Sequence, residues 1–429
     1  MPWTSTSWLT LTSVAIGMVE EDVEQVSESI GPDRIARARE AGADLVRRTP
    51  TLTSRSLSER VGGTILLKAE NLQRTGSFKL RGVLAKIAAL EGEATGVVAG
   101  SAGNHAQSLA YAARARGLAC EVFMPAGASL SKMEAATSSG AQVRIGGESV
   151  DECVELARER AAQTGLAFVH PFDDLDVVAG QATLGLELLE DVPDLAKVVV
   201  PLGGGGLVSG IALAVKRERP DVEIVGVQVE SCAPYPESLA AGRAVSAQAV
   251  PTIADGIAIK RPGELTLPLV RRLVDGVAVV ADDDVAEAAI LLLERAKLVV
   301  EGAGAVGVAA LLERAVAPAE TGSTVAVLSG GNIDSGLLVA IGRRHETEAG
   351  RRLRLFTRVP DRPGALAGLL TCLGSAGANV IDVEHVREGV DLHVRETGVE
   401  LVLETRGPGH ADGLLERLAE EGYEAEVVQ

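Results

Sequence analysis

Short, continuously apolar runs recur through this 429-residue chain, each separated from the next by a stretch with helical periodicity. TILLKAE (64–70), GVVAG (96–100), CEVFMP (120–125), KVVVP (197–201), EIVGVQVE (223–230) and TVAVLSGGN (324–332) are the clearest. A strand that is apolar along its whole length must be covered on both faces. Parallel sheets wrapped by crossover helices of roughly 10 to 15 residues provide that cover, so the expected fold class is α/β with parallel sheets. Such sheets bind ligands beyond the carboxyl ends of their strands. Three unusual segments fall there: Asn71–Lys79, Ser101–His105 and Pro201–Leu207.

The first of these, NLQRTGSFK, runs from polar residues through a glycine turn into the amphipathic LRGVLAKIAAL, which puts Lys79 at a helix start. A lysine there is either an ordinary solvated side chain or a Schiff-base nucleophile whose amine is depressed by desolvation. The glycine run Gly203, Gly204, Gly205 and Gly206 sits between a buried strand and an apolar helix. It is either a loose connection or an anion cradle, in which backbone N–H groups and a helix N-terminus converge on a phosphate. No Lys-Ser/Thr follows, so it is no nucleotide P-loop. Ser101-Ala102-Gly103-Asn104-His105 joins a strand to a helix, with Asn104 and His105 expected to cap it. Ser329-Gly330-Gly331-Asn332 repeats the style at another strand end. Gly302–Gly307 fits G-x-G-x-x-G but lacks the acidic residue of a dinucleotide site about twenty positions on, so close helix–sheet packing is its expected role.

A net charge of −18 argues against nucleic-acid or anionic-membrane partners, which require a basic footprint. The four cysteines have no ligand-like spacing, and no H-E-x-x-H or G-x-S-x-G occurs, so zinc and serine hydrolase chemistry lack support. The scattered thiols fit a reducing, cytoplasmic setting. No apolar run is long enough to span a bilayer. Residues 1–30 are expected to be a disordered tail or a start-site extension, with Met18 the alternative start. Residues 31–342 form the expected catalytic body of two α/β subdomains, and the charged RRHETEAGRR (343–352) a linker.

A lysine carrier, a phosphate cradle and strand-end polar groups together make a pyridoxal-phosphate site. ENLQRTGSFKLRG, SAGNHAQ, GGGGL, TIADGIA, VVEGAGA and SGGN, in that order, resemble the threonine ammonia-lyase branch of the fold-type II pyridoxal-phosphate enzymes. The resemblance implies a tryptophan synthase β-like body that converts L-threonine to 2-oxobutanoate and ammonia, with L-serine a second substrate. It implies that Lys79 carries the cofactor and acts as the catalytic base, with Phe78 beside the ring. Asn104 would bond the ring hydroxyl, Gly203 to Gly206 hold the phosphate, and Ser329 face the pyridine nitrogen. Ser101, Ala102, Gly103 and His105 would line the substrate-carboxylate loop. Racemases of this kind carry a serine immediately before Gly-Asn-His, where this chain has Ala102. Their divalent-cation site is not expected, because Pro236 offers no carboxylate beside Glu230. Serine dehydratase or racemase activity, or a non-catalytic amino-acid-binding regulator, are the competing readings.

Past residue 352 the pattern becomes β-α-β-β-α-β, a ferredoxin-like unit of about 75 residues. It resembles an ACT domain, with Asp361-Arg362-Pro363-Gly364 as its first turn. The resemblance implies an effector cleft between paired sheets, with Asp361, Pro363, Gly364 and Asn379 near its mouth and isoleucine or valine as candidate effectors. Its edge strands invite pairing with a second copy, giving a homodimer or homotetramer. The plainer alternative is that this unit only holds an oligomer together.

Overall fold

The computed structural model describes residues 9–10, 26–90, 92–387 and 392–428. It divides into two compact units, residues 1–334 and 335–429.

The first unit is built on two sheets. The larger runs in the order Leu9–Thr10, Gly276–Val280, Glu223–Val229, Leu195–Pro201, Ser323–Leu328, Thr64–Ala69, Thr51–Thr53. Its five inner strands are parallel, and only the two short outer strands pair antiparallel. The smaller sheet, Gln142–Ile145, Ala119–Met124, Gly96–Gly100, Ala167–Phe168, is parallel throughout. The apolar runs explain the layering. Every residue of Ser323–Leu328 and Gly96–Gly100 is buried, so each sheet carries a core on both faces. Val199, Val227 and Leu328 pack into one cluster of the larger sheet, while Val198, Ile224 and Val327 pack into another on its opposite side. Each such side chain contributes about 1.5–3 kcal/mol by leaving water.

Three helices cross closely enough to fix the site. Leu175–Asp191 lies between Lys79–Ala89 and Gly206–Glu218. A Cβ on Gly180 would lie 2.5 Å from the Arg81 carbonyl, and one on Gly210 2.7 Å from the Ala182 nitrogen. Glycine at these positions lets the helix that starts with Lys79 and the helix that starts at the glycine run share one neighbour. Beside Lys79, Arg81 forks to Glu70 and Glu187 at 2.8 Å, all buried. The Gly302–Leu312 helix is wholly buried up to Leu311, in keeping with the packing role expected of its glycines.

The second unit has strands Arg352–Pro360, Asn379–Val386, Glu396–Glu404 and Ala425–Val427, with helices Ala365–Ser375 and Pro408–Glu420. The sheet is antiparallel, in the order 379–386, 396–404, 352–360, 425–427. Leu369, Leu373, Leu414 and Leu418 from the helices meet Leu355, Val359, Leu401 and Leu403 from one sheet face. This is the β-α-β-β-α-β order and the ACT-like sheet expected.

Two sequence expectations are corrected. Residues 343–348 are not linker but the end of a helix, Ser335–Glu348. No proline or glycine interrupts positions 343–348, and Arg344 bonds Glu348 one turn on, so the charges support helix. The chain turns instead at Gly350, φ +63. The expected tail also loses its last residues to the body: Ile30 is fully buried, and Arg217 donates to the carbonyls of Ile30 and Ser27. Leu9–Thr10 forms an edge strand, and the rest of 1–25 lies outside the described residues.

Candidate active site

One cavity of about 550 Å³ in the first unit gathers the segments singled out in the sequence. Phe78, Lys79, Ser101, Ala102, Gly103, Asn104, His105, Gly203, Gly204, Gly205, Gly206 and Ser329 all line it.

Lys79 begins its helix, and its Nζ donates to the Pro171 carbonyl at 2.8 Å. Burial holds the amine down at about 8, against an opposing pull from Glu301. The Phe78 ring lies beside it, 5.1 Å from centroid to Nζ. The Phe78 N–H donates to the Ser329 carbonyl at 3.1 Å, which ties the lysine turn to the end of the adjacent parallel strand. Ser329 Oγ makes only a long contact, 3.5 Å, to the Ala303 carbonyl.

The glycine run is a cradle held open by its neighbours. A Cβ on Gly204 would lie 2.4 Å from the Phe172 ring, and one on Gly205 2.2 Å from the Tyr235 hydroxyl. Gly205 has φ +97, where an L side chain is strained. Thr266 Oγ1 and the Tyr235 hydroxyl both donate to the Gly204 carbonyl, at 2.6 and 3.2 Å. Because the peptide is planar and trans, this turns the Gly205 N–H the opposite way. Asp173 in turn accepts from the N–H groups of Glu264, Leu265 and Thr266, fixing Thr266. The helix beginning at Gly206 adds its N-terminal dipole, so the cradle suits a phosphate.

Asn104 is placed by a network and does not cap its helix. Gly103 is the N-cap, and no side chain caps it. Asn104 Nδ2 donates to Glu301 Oε1 at 2.6 Å, while its Oδ1 accepts from Asn332 Nδ2 at 2.7 Å. One Nδ2 hydrogen remains for a ligand oxygen. His105, likewise no cap, is buried and bonds the Val169 carbonyl at 3.0 Å through Nε2. Burial, with Lys79 nearby, drops its pKa to about 3, so the ring is neutral.

Glu301 was not singled out from the sequence, although its segment VVEGAGA was. Burial pushes its carboxyl up to about 7, with Asp255 adding to the rise and the Asn104 bond opposing it. A Cβ on Gly330 would lie 2.2 Å from Glu301 Oε1, so Ser-Gly-Gly-Asn needs its first glycine to admit this carboxyl. Phe172 and Tyr235, which shape the glycine run, also escaped notice, because neither HPFDD nor APYPE carries a recognisable motif. At the cavity rim Lys132 pairs with Asp255 at 2.5 Å.

A depressed buried lysine, an anion cradle whose glycines tolerate no Cβ, and free polar capacity on Asn104 and Ser329 fit pyridoxal phosphate. A family model described as "Pyridoxal-phosphate dependent enzyme" matches residues 42–330. The chain belongs to the pyridoxal-phosphate dependent enzymes. Among relatives of this family member, the L-threonine ammonia-lyase of Thermotoga maritima is 46% identical over 397 residues, covering 92% of this chain and 98% of the relative. The crystal structure of a threonine deaminase from T.th. superposes with a TM-score of 0.67 at 42% identity, over 71% of this chain and 99% of that one. Maize serine racemase gives 0.69 at 36%, over 74% and 98%.

The residues expected to line an effector cleft between paired sheets lie in the second unit. Asn379 stands opposite Glu404, which stands opposite Arg352, and its Nδ2 donates to Glu404 at 2.9 Å. Asp361 follows Pro360 at the other end of the same strand and pairs with Arg387 at 3.2 Å. Eight residue steps, roughly 26 Å of strand, separate them. Within one chain Asn379 and the Asp361, Pro363, Gly364 turn lie at opposite ends of the sheet, so a cleft lined by both requires the paired sheets of two copies. The β-α-β connection returns Asn379 to the starting edge, which the linear spacing hides.

Proposed function

We propose that this pyridoxal-phosphate dependent enzyme is a threonine ammonia-lyase, converting L-threonine to 2-oxobutanoate and ammonia and accepting L-serine as a second substrate. The observation that carries it is the placement of the buried Lys79 amine, near pKa 8, in one cavity with the glycine cradle. The 46% identity to a threonine ammonia-lyase along 98% of that relative's length supports the substrate.

Bound in the cavity, pyridoxal phosphate supplies a reactive carbonyl and a conjugated ring that acts as an electron sink. Gly203 to Gly206 and the helix dipole hold its phosphate, and Asn104 and Ser329 offer polar partners to its ring. Lys79 Nζ would hold the cofactor and, as an amine neutral near pH 8, is placed to take the substrate α-proton. Ser101 and Gly103, in the loop where the Gly103 N–H donates to Ser101 Oγ at 3.2 Å, receive the substrate carboxylate ahead of a helix N-terminus. His105, neutral and buried, supports that loop without carrying charge.

The likeness to a serine racemase gives the second reading its weight. Ala102 has no ionisable group, so a base on the opposite face of the substrate must come from elsewhere, and elimination is favoured. We assign the second unit as an ACT regulatory and assembly domain of a cytoplasmic homo-oligomer, with isoleucine or valine as effectors. Formation of 2-oxobutanoate from L-threonine, lost in Lys79→Ala together with covalent retention of the cofactor, tests the catalytic reading. A variant that keeps turnover refutes Lys79.

A further inference from the structure

Gln181, in the Leu175–Asp191 helix, lines the cavity of the first unit. Its side chain is 1% exposed, and its Oε1 is buried without a hydrogen-bond partner. Among the described residues its Nε2 makes no hydrogen bond either. An amide stripped of water and given nothing in exchange costs stability, and a methionine fills much the same volume without that cost. Room is nonetheless kept for it. A Cβ on Gly82 would lie 2.3 Å from Gln181 Nε2, so the helix that starts with Lys79 needs glycine there to admit the amide.

The helix packing sets where this amide leans. A Cβ on Gly206 would meet the Phe172 carbonyl at 2.9 Å, and one on Gly210 the Val178 carbonyl at 2.7 Å. One on Gly185 would meet the Ile211 carbonyl at 2.9 Å. The contacts advance together, so Leu175–Asp191 and Gly206–Glu218 run the same way, and the start of the first lies beside the glycine run. Side chains on a helix tilt towards its N-terminus, so the amide leans from the second turn towards that run. Gly203 to Gly206 bring no cationic side chain of their own. They offer a phosphate only backbone N–H groups and the partial charge of a helix start. Nε2 has two hydrogens to add to that set.

We propose that Gln181 is a phosphate ligand of the cofactor, its Nε2 donating to a phosphate oxygen alongside the backbone N–H groups of the glycine run. The assignment rests on the pyridoxal-phosphate reading of the cavity and is independent of which amino acid the enzyme consumes. A substrate hydroxyl is the other group that an amide in this cavity could meet, and the phosphate is chosen because the side chain leans towards the run.

Equilibrium binding of pyridoxal phosphate, and of pyridoxal, which lacks the phosphate, to the cofactor-free full-length chain tests it. Gln181→Glu keeps the shape and puts a carboxylate in place of the donor; Gln181→Met keeps the length and removes the donor. Affinity for pyridoxal phosphate falls at least about tenfold in Gln181→Glu and about threefold or more in Gln181→Met, while affinity for pyridoxal stays within about twofold in both. The cofactor-free Gln181→Met chain melts no lower than wild type, because it loses an unpartnered group. Equal losses for the two compounds, with a lower melting temperature, mark a packing residue and overturn the proposal. It is also overturned if neither variant weakens pyridoxal phosphate, including the case in which only the KM for L-threonine rises. Failure of the cofactor reading itself looks different: wild type then binds neither compound, and this assignment falls with it.

Discussion

Asn104 and Glu301 meet at 2.6 Å although 197 positions separate them, and the bond joins the helix behind the smaller sheet to the one behind the larger. The contact places a carboxyl with a pKa near 7 inside the cavity that holds the Lys79 amine. Glu301 rises above its ordinary 4.5, so the folded chain binds a proton there that the unfolded chain releases. The stability this gives is complete below pH about 4.5 and is lost as pH rises through about 7, an effect on the order of 3 kcal/mol. Glu301→Gln removes it. Denaturant unfolding at pH 5 and pH 8 is expected to show a smaller loss in the variant than in the wild type, and equal losses contradict the assignment.

Reaction of the Lys79 amine with added cofactor needs its neutral form. The rate of reloading the cofactor-free enzyme with pyridoxal phosphate should therefore rise through an inflection near pH 8. An inflection near 10.5, the usual lysine value, would show that burial does not depress this amine.

Gly205→Ala forces a Cβ to within 2.2 Å of the Tyr235 hydroxyl at a φ of +97. The strain is about 1–2 kcal/mol before any clash, and the loop must shift. Cofactor affinity should fall by tenfold or more while circular dichroism stays close to wild type. Unchanged affinity would mean that the run does not hold the phosphate.

Arg81→Ala leaves Glu70, wholly buried, without its fork. Removing one partner of such a pair costs about 3–5 kcal/mol. A drop of that size in denaturant unfolding is expected, with cofactor binding weakened because Arg81 and Lys79 share a helix turn. A loss under about 1 kcal/mol would show that the Thr49 hydroxyl, which donates to Glu70, and the nearby Lys68 charge compensate.

The parallel body was legible because its strands are apolar on both faces, as GVVAG and TVAVL show. The strand Gly276–Val280 was missed, since GVAVV runs straight into DDDVAEAAI and reads as the approach to a helix. Site residues with backbone signatures, Lys79 at its turn and the four glycines, stood out. Glu301 did not, because its role depends on Asn104, at the start of a helix of the smaller sheet, and on Gly330, at the end of a larger-sheet strand, which only the folded chain brings to it. The distance of Asn379 from the Asp361 turn within one chain was not legible for a related reason: sequence order places it just after the first helix, whereas register decides which end of the sheet it occupies.

Cutting the chain between Asp334 and Ser335, at the boundary of the compact units, should leave threonine turnover within a few-fold of the full chain while any response to isoleucine or valine disappears. Loss of turnover on clean removal of residues 335–429 would make the second unit part of the catalytic assembly.

Steady-state assay of the holoenzyme with L-threonine and L-serine, following keto acid, ammonia and D-serine together, tests threonine ammonia-lyase activity most directly. The account predicts 2-oxobutanoate and ammonia in equal amounts from L-threonine, a lower kcat/KM for L-serine, and no D-serine. Absence of ammonia from L-threonine, or D-serine formed as fast as keto acid, would contradict it.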